Sequence, residues 1–516
     1  MNLEKRIWWI GRILVLLLIL VALRVGYWQL WRGRALDPVA LDPLAAQKTY
    51  AELSGAPTPV PGTGEAAALV QLPQPVIQRT VALLATIKRG TVTDRNGNVL
   101  AQDSGEAGHY TRTYSDPSLA QTLGYTSALR TGVTGLEATY NQALLGLNRP
   151  DAEIARMLHR PITGSTLTLT IDEQIQQAAY QAMGDRPGAV VVLDARTGAV
   201  LAMVSTPTFD PNRINEEGYA QSLGDSALLN RATQGLFTPG SIFKTVTLIA
   251  ALDSHEVKPD AVIDFGKPAS VAPNGHPVYT YSVDGGTIYD PNHVESRLSL
   301  QMCYVVSANV AFAKLADLMA PDTFISYGER LGFSTPDYTS RFPLELPVAV
   351  PQLANDVNSL RTNNLLRANT GYGQGELLTT PINMAMVVEA VVNNGNIPVP
   401  YLVESIKDPQ GHVIQNRPSN HTVRNVMSAS TAKFVHDAMA ALVTKYYPNV
   451  VPGAVAGGKT GTAQLGGEDN PHGWFIGYAT KGNRTLVGVV VMQNAGSGAA
   501  VAVPVWQQVM RAAMGQ

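Results

Sequence analysis

Phe237-Thr238-Pro239-Gly240-Ser241-Ile242-Phe243-Lys244-Thr245-Val246-Thr247-Leu248-Ile249-Ala250-Ala251-Leu252 runs from a backbone break through a serine–lysine pair into an apolar tail. Thr238-Pro239-Gly240 makes the break, because proline withholds an N–H and glycine opens positive φ. The pattern predicts a helix beginning at or near Ser241, and residues three apart on a helix share a face. That spacing sets the Lys244 ammonium beside the Ser241 hydroxyl. Beyond Lys244 nearly every residue is apolar or β-branched, which predicts a helix buried on most sides. A lysine carried into such surroundings loses hydration and its pKa falls. A serine beside a lysine that can take its proton is an activated nucleophile.

The chain around this stretch has 516 residues, room for roughly two to four domains. Its 38 basic and 40 acidic residues give a net charge of -2. That balance gives no sign of a nucleic-acid binder, which would usually show basic patches. Charged residues make up 15% of the chain, against about 25% in average soluble domains, so part of it is expected to avoid water. Cys303 is the single cysteine, which excludes an internal disulfide and a cysteine-based metal site. It reads as a buried apolar filler. His472 has no second histidine or cysteine at metal spacing, so no metal site is expected. Gly371-Tyr372-Gly373-Gln374-Gly375 imitates a phosphate loop but lacks the Gly-Lys-Ser/Thr that would follow. It reads as a structural loop, and no cofactor is expected.

Residues 7–31 are dominated by Ile, Leu, Val and Trp, and Ile13 to Leu23 contains no polar residue. Arg12 and Arg24 bracket that core, and Trp8, Trp9, Tyr27, Trp28 and Trp31 form two aromatic belts. This predicts one tilted transmembrane helix at 7–31, after a short tail at 1–6. A cleaved signal peptide is the alternative. No small-x-small site follows the apolar core, and Arg24 stands where one would fall, which favours an uncleaved anchor. Charge does not decide its orientation, since Lys5 and Arg6 precede the span and Arg32 and Arg34 follow it. Residues 32–80 are rich in Pro, Ala and Gly, and Ser54 to Gly64 reads as an extended stalk.

A small mixed α/β module is expected at 81–186. Arg89 to Ala101 reads as a hairpin around Asn96-Gly97. Gly132 to Tyr140 begins a short helix, and Thr166 to Thr170 alternates as a strand does. It feeds a helix capped by Asp172 that runs to about Met183. No catalytic constellation falls in this module. From 187 to 516 a larger domain follows. Gly188 to Leu193 and Ala199 to Ser205 are two strands joined by a tight turn. Ala454 to Gln464, His472 to Ala479 and Thr485 to Met492 are three more. Short links mean antiparallel pairing, so the fold class is α+β, with a five-stranded antiparallel sheet drawn from both ends of the domain. A long helical insert lies between, including a helix from Pro381 to Val392 capped by Thr380 and closed by Gly395.

Three motifs carry chemistry: Ser241-Ile242-Phe243-Lys244 as S-x-x-K, Ser307-Ala308-Asn309 as S-x-N, and Lys459-Thr460-Gly461 as K-T-G. Each is weak alone. Ser430-Thr431-Ala432-Lys433 is also S-x-x-K, and Ser430 is better read as the cap of an amphipathic surface helix through Phe434, Ala438 and Leu442. The break before Ser241, its apolar helix and its order relative to the other motifs single out the first copy.

S-x-x-K, S-x-N and K-T-G in this order are the set of the penicillin-binding transpeptidases and serine β-lactamases. With the hairpin from Arg89 to Gly97, Gly132-x-x-Gly135-Leu136-Glu137, Gly373-Gln374-Gly375 before Thr380-Pro381, and His472-Gly473-Trp474-Phe475 after the K-T-G run, the chain resembles the class B, monofunctional penicillin-binding proteins. The resemblance spans nearly everything after residue 80. The compact module before the catalytic domain is similar to the penicillin-binding-protein-A-like branch. Ala308 departs from a frequent cysteine, at a position that supplies no essential group.

The resemblance implies a membrane-anchored peptidoglycan D,D-transpeptidase that binds β-lactams covalently. Ser241 would be the acylated nucleophile and Lys244 its general base. Ser307 would relay a proton to the leaving amine, and Asn309 would orient Lys244 and hold the substrate peptide. Lys459 would lower the Lys244 pKa by its charge, and Thr460 would bind a terminal carboxylate. Gly461 would let a substrate strand approach the sheet edge. The backbone N–H groups of Ser241 and Thr462 would form the oxyanion hole. Implied partners are peptidoglycan stem peptides, the lipid-linked precursor, the membrane and a multi-spanning glycan polymerase. The implied location is the bacterial cell membrane, crossed once, with a cytoplasmic N-terminus and the catalytic domain outside. A D,D-carboxypeptidase and a non-catalytic β-lactam sensor stay open as alternatives, since both would keep these residues. No E-x-x-L-N segment of a class A β-lactamase is present.

Overall fold

The small module is organised by Arg89 to Ala101, which folds as a hairpin of β1 (Val92–Thr93) and β2 (Val99–Ser104). The buried Asp94 makes the turn. Its Oδ1 accepts from the N–H groups of Asn96 and Asn98, both at 2.8 Å, while Gly97 adopts φ +91°. The computed structural model describes residues 87–515, except 108, 128–131, 150, 152–153, 156–157, 159, 225, 274, 418–420 and 466–469. The expected tail, anchor and stalk lie outside the described residues, among which no helix is long and apolar enough to cross a membrane.

The module continues with β3 (Thr111–Tyr114), α1 (Gly135–Thr139), β4 (Thr166–Leu169) and α2 (Glu173–Met183). Asp172 caps α2 as expected, accepting from Gln174 N and Ile175 N. Beyond it come β5 (Gly188–Asp194), β6 (Ala199–Thr206) and α3 (Lys244–Asp253). Then follow β7 (Pro277–Val283), β8 (Gly286–Asp290), α4 (Leu300–Val305), α5 (Asn309–Leu318), α6 (Asn364–Gly371) and α7 (Pro381–Val392). The chain closes with β9 (Val403–Lys407), β10 (Val413–Asn416), α8 (Ala429–Tyr446), β11 (Val455–Ala463), β12 (His472–Lys481), β13 (Arg484–Met492) and α9 (Gly498–Ala513).

The five-stranded antiparallel sheet has the order β11-β12-β13-β5-β6, joining both ends of the domain as expected. Both faces are covered, which explains the unbroken apolar runs. Val190 and Val192 point to one core beside Trp506 and Met510 of α9, while Val191 and Leu193 point to the other beside Met384 and Val387 of α7. Successive side chains of a strand face opposite ways, so each strand contributes to two cores.

Three expectations need correction. The insert is not purely helical, since β7 and β8 pair within it as a hairpin. The boundary at 186/187 divides the sequence but not the sheet. The small module's six-stranded sheet has the order β10-β9-β4-β1-β2-β3, and its first two strands come from the far side of that boundary. Ile406 of β9 stands opposite Leu167 of β4, and both are buried. Ser430 does not cap α8 either. Ser428 does, its Oγ accepting from Thr431 N at 3.2 Å.

Candidate active site

The run after the Pro-Gly break begins one element later than expected. Gly240–Phe243 is a 3₁₀ turn and the α-helix starts at Lys244; such turns are common at helix N-termini. Gly240 enters it at φ +58° with its N–H bonded to Gly373 O at 2.9 Å. Lys244 and the rest of α3 as far as Leu252 are buried, as the all-round apolar pattern predicts. Asn309 is the first residue of α5, and Lys459, Thr460, Gly461 and Thr462 lie on β11 at the sheet edge.

The second motif is the meeting point. Lys244 Nζ donates to Ser307 O at 2.6 Å, Ser307 Oγ at 3.1 Å and Asn309 Oδ1 at 2.7 Å. Lys459 Nζ donates to the same Ser307 Oγ at 2.9 Å and to Thr460 O at 3.1 Å. Ser307 achieves this by taking φ +62°, a left-handed backbone uncommon for a residue with a side chain. The hydrogen bonds of the Lys244 amine thus go to Ser307 and Asn309. Ser241 is half-buried on the preceding turn.

Electrostatics mark the two lysines out. Both are 0% exposed. Burial pushes Lys244 down to about 7, against an opposing pull from the Asp290 carboxylate and from Cys303. Burial pushes Lys459 well down too, and repulsion from Lys244 adds to it. Loss of hydration is the main cause at both lysines, and their mutual repulsion acts in the same direction. Aromatic rings line the pair, with Lys244 Nζ 5.7 Å from the Phe312 centroid and Lys459 Nζ 5.7 Å from that of Tyr304. Cys303 is fully buried, as expected of a filler, and burial raises its thiol to about 12. It is no thiolate nucleophile at neutral pH.

Packing fixes how the motifs approach. Phe237 exchanges backbone hydrogen bonds with Thr379, both at 2.9 Å, and Trp474 Nε1 donates to Thr238 O at 3.0 Å. Phe237 also meets Trp474 and His472 edge-on at 6.0 and 5.4 Å. His472 Nδ1 accepts from Asn494 N, a structural role. The loop at Gly371 to Gly375 is a buttress, because a Cβ on Gly373 would stand 1.7 Å from Gly240 O. Packing within the fold also requires a bare Gly461. A Cβ there would meet Pro239 O at 2.7 Å and Trp474 Cβ at 3.1 Å, so its bareness lets β11 close on the nucleophile turn. Thr460 is half-buried, and the exposed Thr462 accepts at Oγ1 from Gly498 N at 3.3 Å. A Cβ on Gly240 would lie 2.8 Å from Thr462 O, so the segments carrying the Ser241 and Thr462 N–H groups are in contact. Asp290 and Asn292, which reach the S-x-N turn from β8, belong to no motif.

The penicillin binding protein transpeptidase domain family matches residues 188–511, and the penicillin binding protein A dimerisation domain family matches residues 89–168. The chain is similar to the peptidoglycan D,D-transpeptidase PbpA of Mycobacterium tuberculosis, 30% identical over 461 residues, covering 83% of this chain and 89% of the relative. It is 29% identical over 458 residues to the PbpA of Mycolicibacterium smegmatis, with the same shares covered. The imipenem acyl-enzyme complex of penicillin-binding protein A from M. tuberculosis matches with a TM-score of 0.74 at 28% identity, over 84% of this chain and 100% of that one.

Proposed function

Because this chain belongs to the penicillin-binding protein transpeptidase family, we propose that it is a serine-type peptidoglycan D,D-transpeptidase, cross-linking stem peptides and binding penicillin covalently through Ser241. The observation that carries the reading is the sharing of Ser307 Oγ between two buried amines, at 3.1 Å from Lys244 and 2.9 Å from Lys459.

A neutral amine has two N–H groups and one lone pair. Ser307 O and Asn309 Oδ1 are fixed acceptors that take both hydrogens of a neutral Lys244, which leaves its lone pair for a serine proton. Lys244 then removes the proton from Ser241 as Oγ attacks the carbonyl carbon of the penultimate D-Ala. The negative charge develops towards the N–H groups of Ser241 and Thr462, each worth about 3 kcal/mol in such holes. Ser307, hydrogen-bonded to both amines, passes a proton to the leaving nitrogen of the terminal D-Ala. An amine of a second stem peptide attacks the ester, forms the cross-link and frees Ser241.

The anchor at 7–31 holds the catalytic domain outside the bacterial cell membrane, with residues 1–6 in the cytoplasm, because the stem peptides and their lipid-linked precursor are found there. The apolar span and its aromatic belts support this placement. A multi-spanning glycan polymerase that supplies uncross-linked strands is the partner this arrangement calls for.

Fluorescent penicillin is expected to label the wild type to about one equivalent by the covalent route and to leave Ser241→Ala dark. Labelled Ser241→Ala would remove the nucleophile assignment. Lipid-linked stem peptides are expected to give cross-linked product, and trimmed product alone would make the protein a carboxypeptidase.

A further inference from the structure

Ser307 is held in its left-handed backbone by a segment that no motif includes. β8 ends at Asp290, whose fully buried carboxylate accepts from the N–H of Val310 through Oδ2 at 3.0 Å. Its Oδ1 accepts from Asn292 N at 3.2 Å. That contact folds the chain back so that Asn292 Nδ2 donates to Ser307 O at 3.0 Å. Ser307 O is the atom that also accepts from Lys244 Nζ at 2.6 Å. Asn309 Nδ2 returns a bond to Tyr289 O at 3.3 Å. Ser307, Asn309 and Val310 are thus tied to Asn292, Tyr289 and Asp290 respectively. Behind them, His293 Nε2 stands 3.6 Å from Asp290 Oδ2. Its ring stacks on Tyr279 at 4.9 Å, and its Nδ1 lies 2.8 Å from Glu295 O, which fixes the back of the clamp.

We propose that Asp290 and Asn292 are positioning residues for acyl transfer, holding the Ser307 turn so that its carbonyl and hydroxyl oxygens both meet the Lys244 amine. A left-handed serine costs about 1–3 kcal/mol and persists only where its surroundings over-determine it. The Val310 and Ser307 contacts supply that determination. Asp290 has a second effect, because it is the carboxylate that pulls on Lys244; Cys303 from α4 pulls the same way more weakly, and Lys459 from β11 faces the amine as a second base. The proposal rests on the acyl-transfer reading of the same site.

The test measures the acylation rate with fluorescent penicillin across pH in wild type, Asp290→Asn and Asn292→Ala, each normalised to its final labelled fraction. Normalisation removes any loss of folded protein, and a wild type that labels secures the underlying reading independently. Asn292 is exposed, so its variant is expected to fold. Its rate is expected to fall by up to about tenfold, the effect of one lost hydrogen bond, with the pH midpoint unmoved. Asp290→Asn keeps an oxygen for Val310 N but loses the charge. Its rate is expected to fall by up to about a hundredfold, as misplacement of reacting groups does. Lys244 works as a base only when neutral, and without the Asp290 charge it loses its proton at lower pH. The acid limb of the Asp290→Asn profile is therefore expected to move below the wild-type limb. A purely structural role would change the labelled fraction and leave normalised rates and midpoint alone. That result, or wild-type rates in Asn292→Ala where Asp290→Asn fails to fold, overturns the proposal.

Discussion

The Arg89–Glu137 cluster of the small module and the Lys244–Lys459 pair of the catalytic domain are buried groups built on opposite principles. In the small module, Arg89 Nε meets Glu137 Oε2 at 2.6 Å and Arg112 Nη2 meets Glu137 Oε1 at 2.7 Å. Arg112 Nη1 also meets Asp103 Oδ1 at 3.3 Å. Arg89 Nη1 donates to Asn141 Oδ1, and its backbone N–H donates to Asp103 Oδ2, both at 2.7 Å. Two cations face two anions. Burial pushes Glu137 up, and the Arg89 and Arg112 guanidiniums overcome it and hold the carboxyl below its ordinary value. In the catalytic domain two lysines are buried against one hydroxyl, and both are driven towards the neutral form. Paired charge holds β2, β3 and α1 in register. Unpaired amines are held ready to accept a proton, which a saturated ion cluster does not do.

The contrast is broken most directly by removing one member of each cluster. Lys244→Met takes away the base, and penicillin acylation is expected to fall by about 10³-fold. Folding should be intact or improved, since an apolar chain replaces a poorly compensated buried amine. Glu137→Gln should act the other way. It strands two guanidiniums that shared one carboxylate, with an expected loss of about 3–5 kcal/mol in unfolding free energy and a normal acylation rate in the protein that stays folded. Denaturant unfolding and labelling kinetics on both variants check the pair. If Glu137→Gln proved as stable as wild type, the small module's cluster would be decoration.

The two clusters should also carry pH signatures of the same sign in different windows. Lys244 titrates near 7 in the folded chain against an ordinary 10.5. Between those values the unfolded chain binds the proton and the folded chain does not, so stability should rise with pH across that window. The slope is at most about 1.4 kcal/mol per pH unit for each such lysine, and Lys459 adds in the same direction. Glu137, held low, stabilises above its ordinary carboxyl range, and that contribution is lost as pH falls through its folded pKa. Measured from pH 7 to pH 10, the unfolding free energy of wild type should rise relative to that of Lys244→Met, because the variant lacks the group that releases its proton on folding. Parallel curves would mean that Lys244 is charged in the folded protein.

Much of this was legible because short motifs and apolar runs are local signals. The five strands, the Asp172 cap and the Pro381 helix follow from residue order alone, and Ser307, Asn309 and Lys459 were recognisable as a set. What escaped depends on distant contact. Val403 to Lys407 looks like any short alternating run, and only pairing with Leu167 makes it a strand of the small module. The direction of Lys244 follows from the 3₁₀ turn before it and from a left-handed Ser307, neither encoded in S-x-x-K. Gly461 is legible as bare, but the closeness of Pro239 that also requires its bareness comes from tertiary packing. Asp290 and Asn292 lie in no motif because their work is done through Ser307.

The second S-x-x-K run supplies the exposed limit of the comparison. Lys433 has a side chain 75% exposed and pairs with Asp437 at 2.7 Å on one face of α8, so water and a carboxylate both hold its charge. Nothing there resembles the stripped amine of Lys244. The serine that matters to α8 is Ser428, and Ser430 meets it through a hydroxyl contact at 3.1 Å. Ser428→Ala is expected to cost about 1 kcal/mol as a lost N-cap. Ser430→Ala should stay within about 0.5 kcal/mol, like other surface changes. Both variants should label with penicillin at the wild-type rate. Equal costs for the two serines would restore Ser430 as a capping residue, whereas slowed labelling in Ser430→Ala would show that α8, packed beside β11, transmits strain to the K-T-G strand.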